Sequence, residues 1–131
     1  MAQGNVEIVR RLYEAMDARD VEAITELVHE DGEWVPDRRV GERPIRGREN
    51  VLRFFTDRAE MFGEIRTEVE QLRELDDRVL AFIHLTGRGR ASDAPFDLRI
   101  AHLWTLRDGW VVRGEGYGSR DEALAAAGLD E

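Results

Sequence analysis

Phe96-Asp97-Leu98-Arg99-Ile100-Ala101-His102-Leu103-Trp104-Thr105-Leu106 alternates bulky apolar residues with smaller or more polar ones. Successive side chains of a strand point to opposite faces. Phe96, Leu98, Ile100, His102, Trp104 and Leu106 therefore share one face, expected to point into the domain, and His102 stands alone there among large apolar neighbours. Strand-like runs lie on both sides, Val79–Arg90 before and Trp110–Gly118 after. The break Ala91-Ser92-Asp93-Ala94-Pro95 has turn composition, and Asp108-Gly109 is a strong hairpin signal. Three consecutive antiparallel strands are expected, carrying a pocket more clearly than a reaction.

The rest of the chain supplies helices to cover that sheet. Asn5 is a plausible N-cap for a first helix to about Arg19, with Val9, Leu12, Tyr13 and Met16 on one face. Asp20 caps a second, striped by Val21, Ile24, Leu27 and Val28 and stopped by Asp31-Gly32. Glu33-Trp34-Val35 reads as a short strand ended by Pro36. From Asp37 to Gly47 the chain is irregular and holds Arg38, Arg39, Arg43 and Arg46, a solvated loop or an anion site. A third helix is expected over Arg48–Phe62 with Gly63 after its end, then an edge strand over Ile65–Leu75. Ser119-x-x-Glu122 has capping-box spacing for a last short helix ending at Gly128. Helices followed by a strand meander give an α+β fold: a curved antiparallel sheet packed against N-terminal helices.

The 131 residues suit a single domain over 1–131 with one core. Without cysteine there is no disulfide or thiolate metal site. A formal charge of −9, with every basic residue an arginine, argues against nucleic-acid and anionic-membrane partners, which require basic patches. No apolar run approaches the roughly 20 residues of a membrane helix, and no signal peptide is visible, so a cytoplasmic location is expected.

Val9-Arg10-Arg11-Leu12-Tyr13-Glu14-Ala15-Met16, Arg19-Asp20-Val21-Glu22-Ala23, His29-Glu30-Asp31-Gly32-Glu33-Trp34, Gly47-Arg48-Glu49-Asn50-Val51 and His102-Leu103-Trp104-Thr105-Leu106-Arg107-Asp108-Gly109, with Tyr117 and the capping box, resemble the nuclear transport factor 2-like superfamily, in particular its SnoaL-like, ketosteroid-isomerase-like members. The resemblance implies a cone-shaped pocket and pairing as a homodimer through the outer sheet face. It covers nearly the whole chain and is far more specific for fold than for activity. Ketosteroid isomerases use a tyrosine on the first helix, an aspartate after the first strand and a protonated aspartate on a later strand. Those positions fall at Tyr13 or Leu12, Asp37 or Pro36, and Ala101 or His102. The Asp-Arg-Asp set of limonene-epoxide-hydrolase-like members falls at His84, Thr86 and Gly116 or Glu115. Neither set is reproduced.

What remains is a pair of histidines. If the Val79–Leu106 hairpin turns symmetrically about Asp93, His84 lies opposite His102, about 5 Å away at Cβ. Leu80, Phe82, Thr86, Leu98, Ile100 and Trp104 would share their face, with Tyr13, Met16, Trp34 and Phe55 closing the other side. A two-residue turn at Asp108-Gly109 pairs His102 with Glu115 and brings Arg113, Glu115 and Tyr117 inside. A three-residue turn with a glycine bulge brings Gly114, Gly116 and Gly118 inside instead, and the resemblance favours it. The resulting expectation is a pocket for a small, largely apolar metabolite, with His84 and His102 as acid/base candidates for isomerisation or hydration and Tyr13 orienting. No cofactor or metal is implied. The competing reading is a non-catalytic dimeric sensing or interaction domain with structural histidines. Its contact would be an outward stripe of Ile83, Leu85, Ala101 and Leu103, rimmed by Asp97, Arg99 and Thr105. His29 reads as a helix-end dipole partner.

Overall fold

The structure is a computed structural model, and it describes residues 4–37, 43–60 and 62–129. In chain order the elements are α1 (Asn5–Ala18), α2 (Val21–Leu27), β1 (Val28–Val35), β2 (Ile45–Arg46), α3 (Arg48–Glu60), β3 (Phe62–Leu75), β4 (Arg78–Gly89), β5 (Pro95–Arg107), β6 (Trp110–Tyr117) and α4 (Arg120–Ala126). The fold is α+β. The strands form one curved six-stranded sheet in the order β2-β1-β6-β5-β4-β3, antiparallel except where β1 runs parallel to β6. No helix among the described residues is long and apolar enough to cross a membrane. Arg38 and Arg39 of the arginine-rich loop lie outside the described residues.

Both faces of the sheet are covered, by different helices. On the inner face, α1 lays Ile8, Val9, Leu12 and Tyr13 against Val79, Ala81, Ile83, Trp104 and Leu106. On the outer face, Ala123, Leu124 and Ala127 of α4 pack on Leu80, Phe82, Ala101 and Leu103. The Ser119 hydroxyl accepts the Glu122 N–H and starts α4 as the capping box implied, while Arg78 ties its end by donating to the Ala127 carbonyl. The run Val79-Leu80-Ala81-Phe82-Ile83 is buried throughout because its strand is covered on both sides.

Several expectations are corrected. The first hairpin does not turn about Asp93: the ladder pairs Arg88 with Pro95 and Ala81 with His102. The chain leaves the ladder at Gly89, and Asp93, with φ 55°, folds back to donate its N–H to the Gly89 carbonyl. The hairpin centre thus falls between Ala91 and Ser92, and this odd shift exchanges the faces of every β4 residue. His84, Phe82, Leu80 and Thr86 point outward, whereas Ile83 and Leu85 point inward. The proposed dimer stripe is therefore not one surface: Ile83 and Leu85 belong to the inner face, and Ala101 and Leu103 are 0% and 1% exposed under α4.

At the second hairpin Arg107 pairs with Trp110 around a two-residue Asp108-Gly109 turn with both φ values positive, 53° and 82°. A bulge then shifts the ladder between Leu106 and Thr105, so that His102 faces Gly116 and Leu103 faces Glu115. Glu115 consequently lies on the outer face, where Tyr117 donates to its carboxylate at 2.7 Å. Asp31-Gly32 does not end a helix. It sits within β1, where the pairing to β6 shifts between Val28 and Glu33. His29 is accordingly a strand residue, stacked edge-on against Trp110. Gly4, not Asn5, takes the N-cap position of α1, and α3 stops at Glu60.

Candidate functional site

The inner face of β5 meets α1 at a chain of three polar atoms in an otherwise apolar setting. Trp104 Nε1–H donates to the Tyr13 hydroxyl at 2.8 Å, and that hydroxyl lies 2.6 Å from His102 Nδ1. The spacing of α1 delivers Tyr13 because Val9, Leu12 and Tyr13 lie on one helical stripe. The period of β5 delivers His102 and Trp104 two residues apart on one face.

Aromatic rings close around them. The Tyr13 and His102 rings lie end to end, with centroids 5.9 Å apart and planes 9° from parallel. Trp34 meets the His102 ring edge-on at 5.2 Å and leans on Trp104 at 5.5 Å, and Phe55 meets Trp34 at 5.0 Å. Glycines across the ladder make this possible. A Cβ at position 114 would come within 2.5 Å of Trp104 and 2.7 Å of Trp34, and one at 116 within 3.1 Å of Trp34.

Burial controls the titration of the pair. It pushes the Tyr13 hydroxyl above its ordinary value, against a smaller lowering by the Trp104 hydrogen bond. It lowers His102 to about 4. Both groups are neutral at pH 7.

One edge of His102 stays open. The residue is only half-buried, and among the described residues no acceptor meets its Nε2. No fully buried side-chain nitrogen or oxygen lacks a partner among those residues, so an unpartnered Nε2 retains access to solvent. Beyond it the inner face continues toward the β4–β5 hairpin through half-buried Ile100 and Leu85 to Leu98, which is 51% exposed. α3 contributes no fully buried residue; Phe54 and Phe55 are half-buried. The inner face is thus less covered toward the β4–β5 hairpin.

A cavity of about 40 Å³ is walled by Leu12, Met16, Trp34, Leu52, Phe55 and Trp104, among others, but not by Tyr13 or His102. It exceeds a water's needs and is apolar, far below the roughly 300–1,000 Å³ of a metabolite site. A larger open groove, about 610 Å³, lies along His29, Asp31, Thr105, Arg107 and Trp110 and has no contact with the Tyr13–His102 pair.

The structure brings together Tyr13, Trp34, Phe55, His102 and Trp104, and places Met16 beside them and Ile100 farther along the same face. It does not bring His84, Phe82 or Glu115 there. His84 Nε2 is 2.7 Å from Asp97 and its Nδ1 3.6 Å from Glu68 on the outer face. Phe82 packs under α4 with the Arg120 guanidinium 4.5 Å over its ring. Sequence reasoning missed the Trp104–Tyr13 bond. The uninterrupted apolar run of β4 was a readable signal that the outer face also needs a cover. Among the described residues no group of three potential ligands is placed to hold a metal ion.

A mostly antiparallel sheet wrapped by N-terminal helices, with a polar pair set deep on its concave face, defines a nuclear transport factor 2-like protein. The chain matches the SnoaL-like domain over residues 9–114 and belongs to that family. Solved structures agree in fold. A protein of Jannaschia sp. CCS1 provisionally named a SnoaL-like polyketide cyclase superposes with a TM-score of 0.79 at 19% identity, covering 100% of this chain and 99% of its own. TerC co-crystallised with polyporic acid gives 0.78 at 24%, covering 95% and 98%. A hypothetical protein of Catenulispora acidiphila with a ketosteroid isomerase-like fold, in complex with trimethylamine, gives 0.75 at 22%, covering 95% and 94%. No match was found among functionally curated proteins.

Proposed function

We propose that this SnoaL-like domain binds a small, largely apolar molecule at the open end of its inner face, with His102 as the polar contact. One observation carries the reading. His102 hydrogen-bonds Tyr13 through Nδ1, while its Nε2, without a partner among the described residues, keeps access to solvent on the face that also carries half-buried Ile100 and exposed Leu98. A few polar atoms converging in an apolar setting are the usual form of a small-molecule site. Relatives of the same fold whose names mention polyporic acid or polyketide cyclisation fit it. Catalysis, where present, would be isomerisation or hydration centred on His102, and His84 takes no part.

A second reading, a non-catalytic sensing or interaction domain, is favoured by the small size of the cavity beside Trp34 and Trp104, about 40 Å³. A pairing of two copies through the outer face would then rest on Asp97, Arg99 and Thr105, because the apolar residues there already lie under α4.

A thermal-shift panel of apolar metabolites tests the first reading, since a ligand specific to the native state raises the midpoint. The shift is expected to survive His84→Ala and to vanish in His102→Ala. A shift lost in His84→Ala, or retained in His102→Ala, would overturn it.

A further inference from the structure

We infer that the groove on the outer sheet face, between β1 and the β5–β6 turn, is a second binding site that takes an uncharged polyhydroxylated ring such as a pyranoside. It stands apart from the inner-face site proposed above, because the sheet lies between the two.

The groove arises where two strands fall out of step. Between the pairs Val28–Val111 and Glu33–Arg113, β1 uses His29, Glu30, Asp31 and Gly32 against Val112 alone on β6. The surplus residues supply one wall through His29 and Asp31, and the turn at Asp108 supplies the other. Arg107 continues the outward parity of Ala101, Leu103 and Thr105, and Trp110 pairs with it across the turn. The apolar cluster under α4 takes in Ala101 and Leu103, and no groove residue belongs to it. At about 610 Å³ the groove falls within the roughly 300–1,000 Å³ of ligand sites.

The lining selects by exclusion. Trp110, 37% exposed, offers an aromatic surface, and its Nε1–H has no partner among the described residues. His29 Nδ1 accepts the Asp31 N–H at 3.0 Å, so the ring hydrogen sits on Nε2 as a second donor. The Asp31 carboxylate is 3.9 Å from that Nδ1, too far for a hydrogen bond, and is 86% exposed. Asp108 and Arg107 likewise have no partner among the described residues, whereas Arg113 is matched by Glu33 at 3.3 Å. A cation entering the groove would meet Arg107, and an anion would meet Asp31 and Asp108. An uncharged hydroxyl satisfies both signs, donating to a carboxylate and accepting from guanidinium, indole or imidazole. A pyranose ring adds a face of C–H groups that suits the negative face of an indole.

The chain holds three tryptophans, so proton–nitrogen NMR shows three indole signals, and that of Trp110 is the one missing from Trp110→Phe. Methyl glucopyranoside is expected to move this signal alone, with a Kd of about 1 mM. Glucosamine and glucuronate should bind about threefold more weakly, the scale of one exposed like-charge contact, and the zwitterion glycine more weakly still. Ligand-observed NMR reads the variants. Trp110→Ala should weaken the glucoside about tenfold and Asp31→Ala, at an exposed side chain, about threefold. A wild-type Trp110 signal that ignores the glucoside overturns the inference; if that signal moves instead with protein concentration, a second copy covers the groove. A charged probe or glycine binding as tightly as the glucoside overturns it too, as does undiminished binding in Trp110→Ala. Movement of the Trp34 and Trp104 signals in place of Trp110 would put the sugar on the inner face and end the case for a separate site.

Discussion

His84 and His102 stand on neighbouring strands and read almost alike in sequence, each a lone imidazole in an apolar run. The sheet separates them. On the outer face His84 lies between the carboxylates of Asp97 and Glu68. On the inner face His102 meets a phenol and two indoles, and no carboxylate pairs with it among the described residues. From the elements packed around it, Tyr13 of α1 is the titratable group in contact, while β1 and α3 present Trp34 and Phe55. The same side chain thus meets carboxylates on one face and a phenol among aromatic rings on the other. The face matters more than the residue type.

That contrast is broken most directly by asking whether the outer face is sealed at all. Leu103 is 1% exposed beneath α4. Leu103→Arg places a charge where no partner awaits it and is expected to cost at least ~4 kcal/mol, the range of a buried unpaired charge. Denaturant unfolding should show the loss. A variant that keeps wild-type stability and merely changes its mass by light scattering would mean that α4 leaves this face free for a second copy.

The elements themselves were legible because each carries a period: 3.6 along α1, two along β5, and Ser119-x-x-Glu122 to start α4. The Tyr13–His102 partnership was legible in part, since helix stripe and strand parity each aim one residue inward. What the sequence did not show was where β4 leaves its ladder. Five residues between Gly89 and Pro95 admit several hairpin centres, and composition does not rank them. A change of one in that centre's pairing sum turns His84 from inside to outside. Asp31-Gly32 misled for a related reason, as the same dipeptide chemistry serves a turn or a bulge. Tertiary pairing with β6 selected the bulge.

The inner-face setting of His102 also predicts a response to acid. Folded His102 titrates near 4 and its unfolded reference is 6.5, because burial disfavours the cation. Between those values the unfolded chain binds a proton that the folded chain refuses. Stability therefore falls as pH drops from 6.5 toward 4, by about 1.4 kcal/mol per pH unit. Above 6.5 both states are neutral and the penalty is absent. His102→Gln cannot titrate, so its stability relative to wild type should rise as pH falls across that window. A difference that stays flat would place His102 in a solvated setting and erase its contrast with His84.

The smallest effect is expected at His84 itself. Its side chain is 17% exposed, but Asp97 and Glu68 are 66% and 67% exposed, so water screens both pairs. Exposed ion pairs are worth about 0–1 kcal/mol. His84→Ala should therefore shift stability by about 0.5 kcal/mol at pH 7 and leave the imidazole NMR signals of His102 unchanged, since the sheet lies between them. A much larger loss would mean that the Glu68–His84–Asp97 row clamps β3, β4 and β5 together, giving the outer histidine the structural weight. A shifted His102 imidazole spectrum in the same variant would show that the two faces are coupled, and the separation on which the comparison rests would fail.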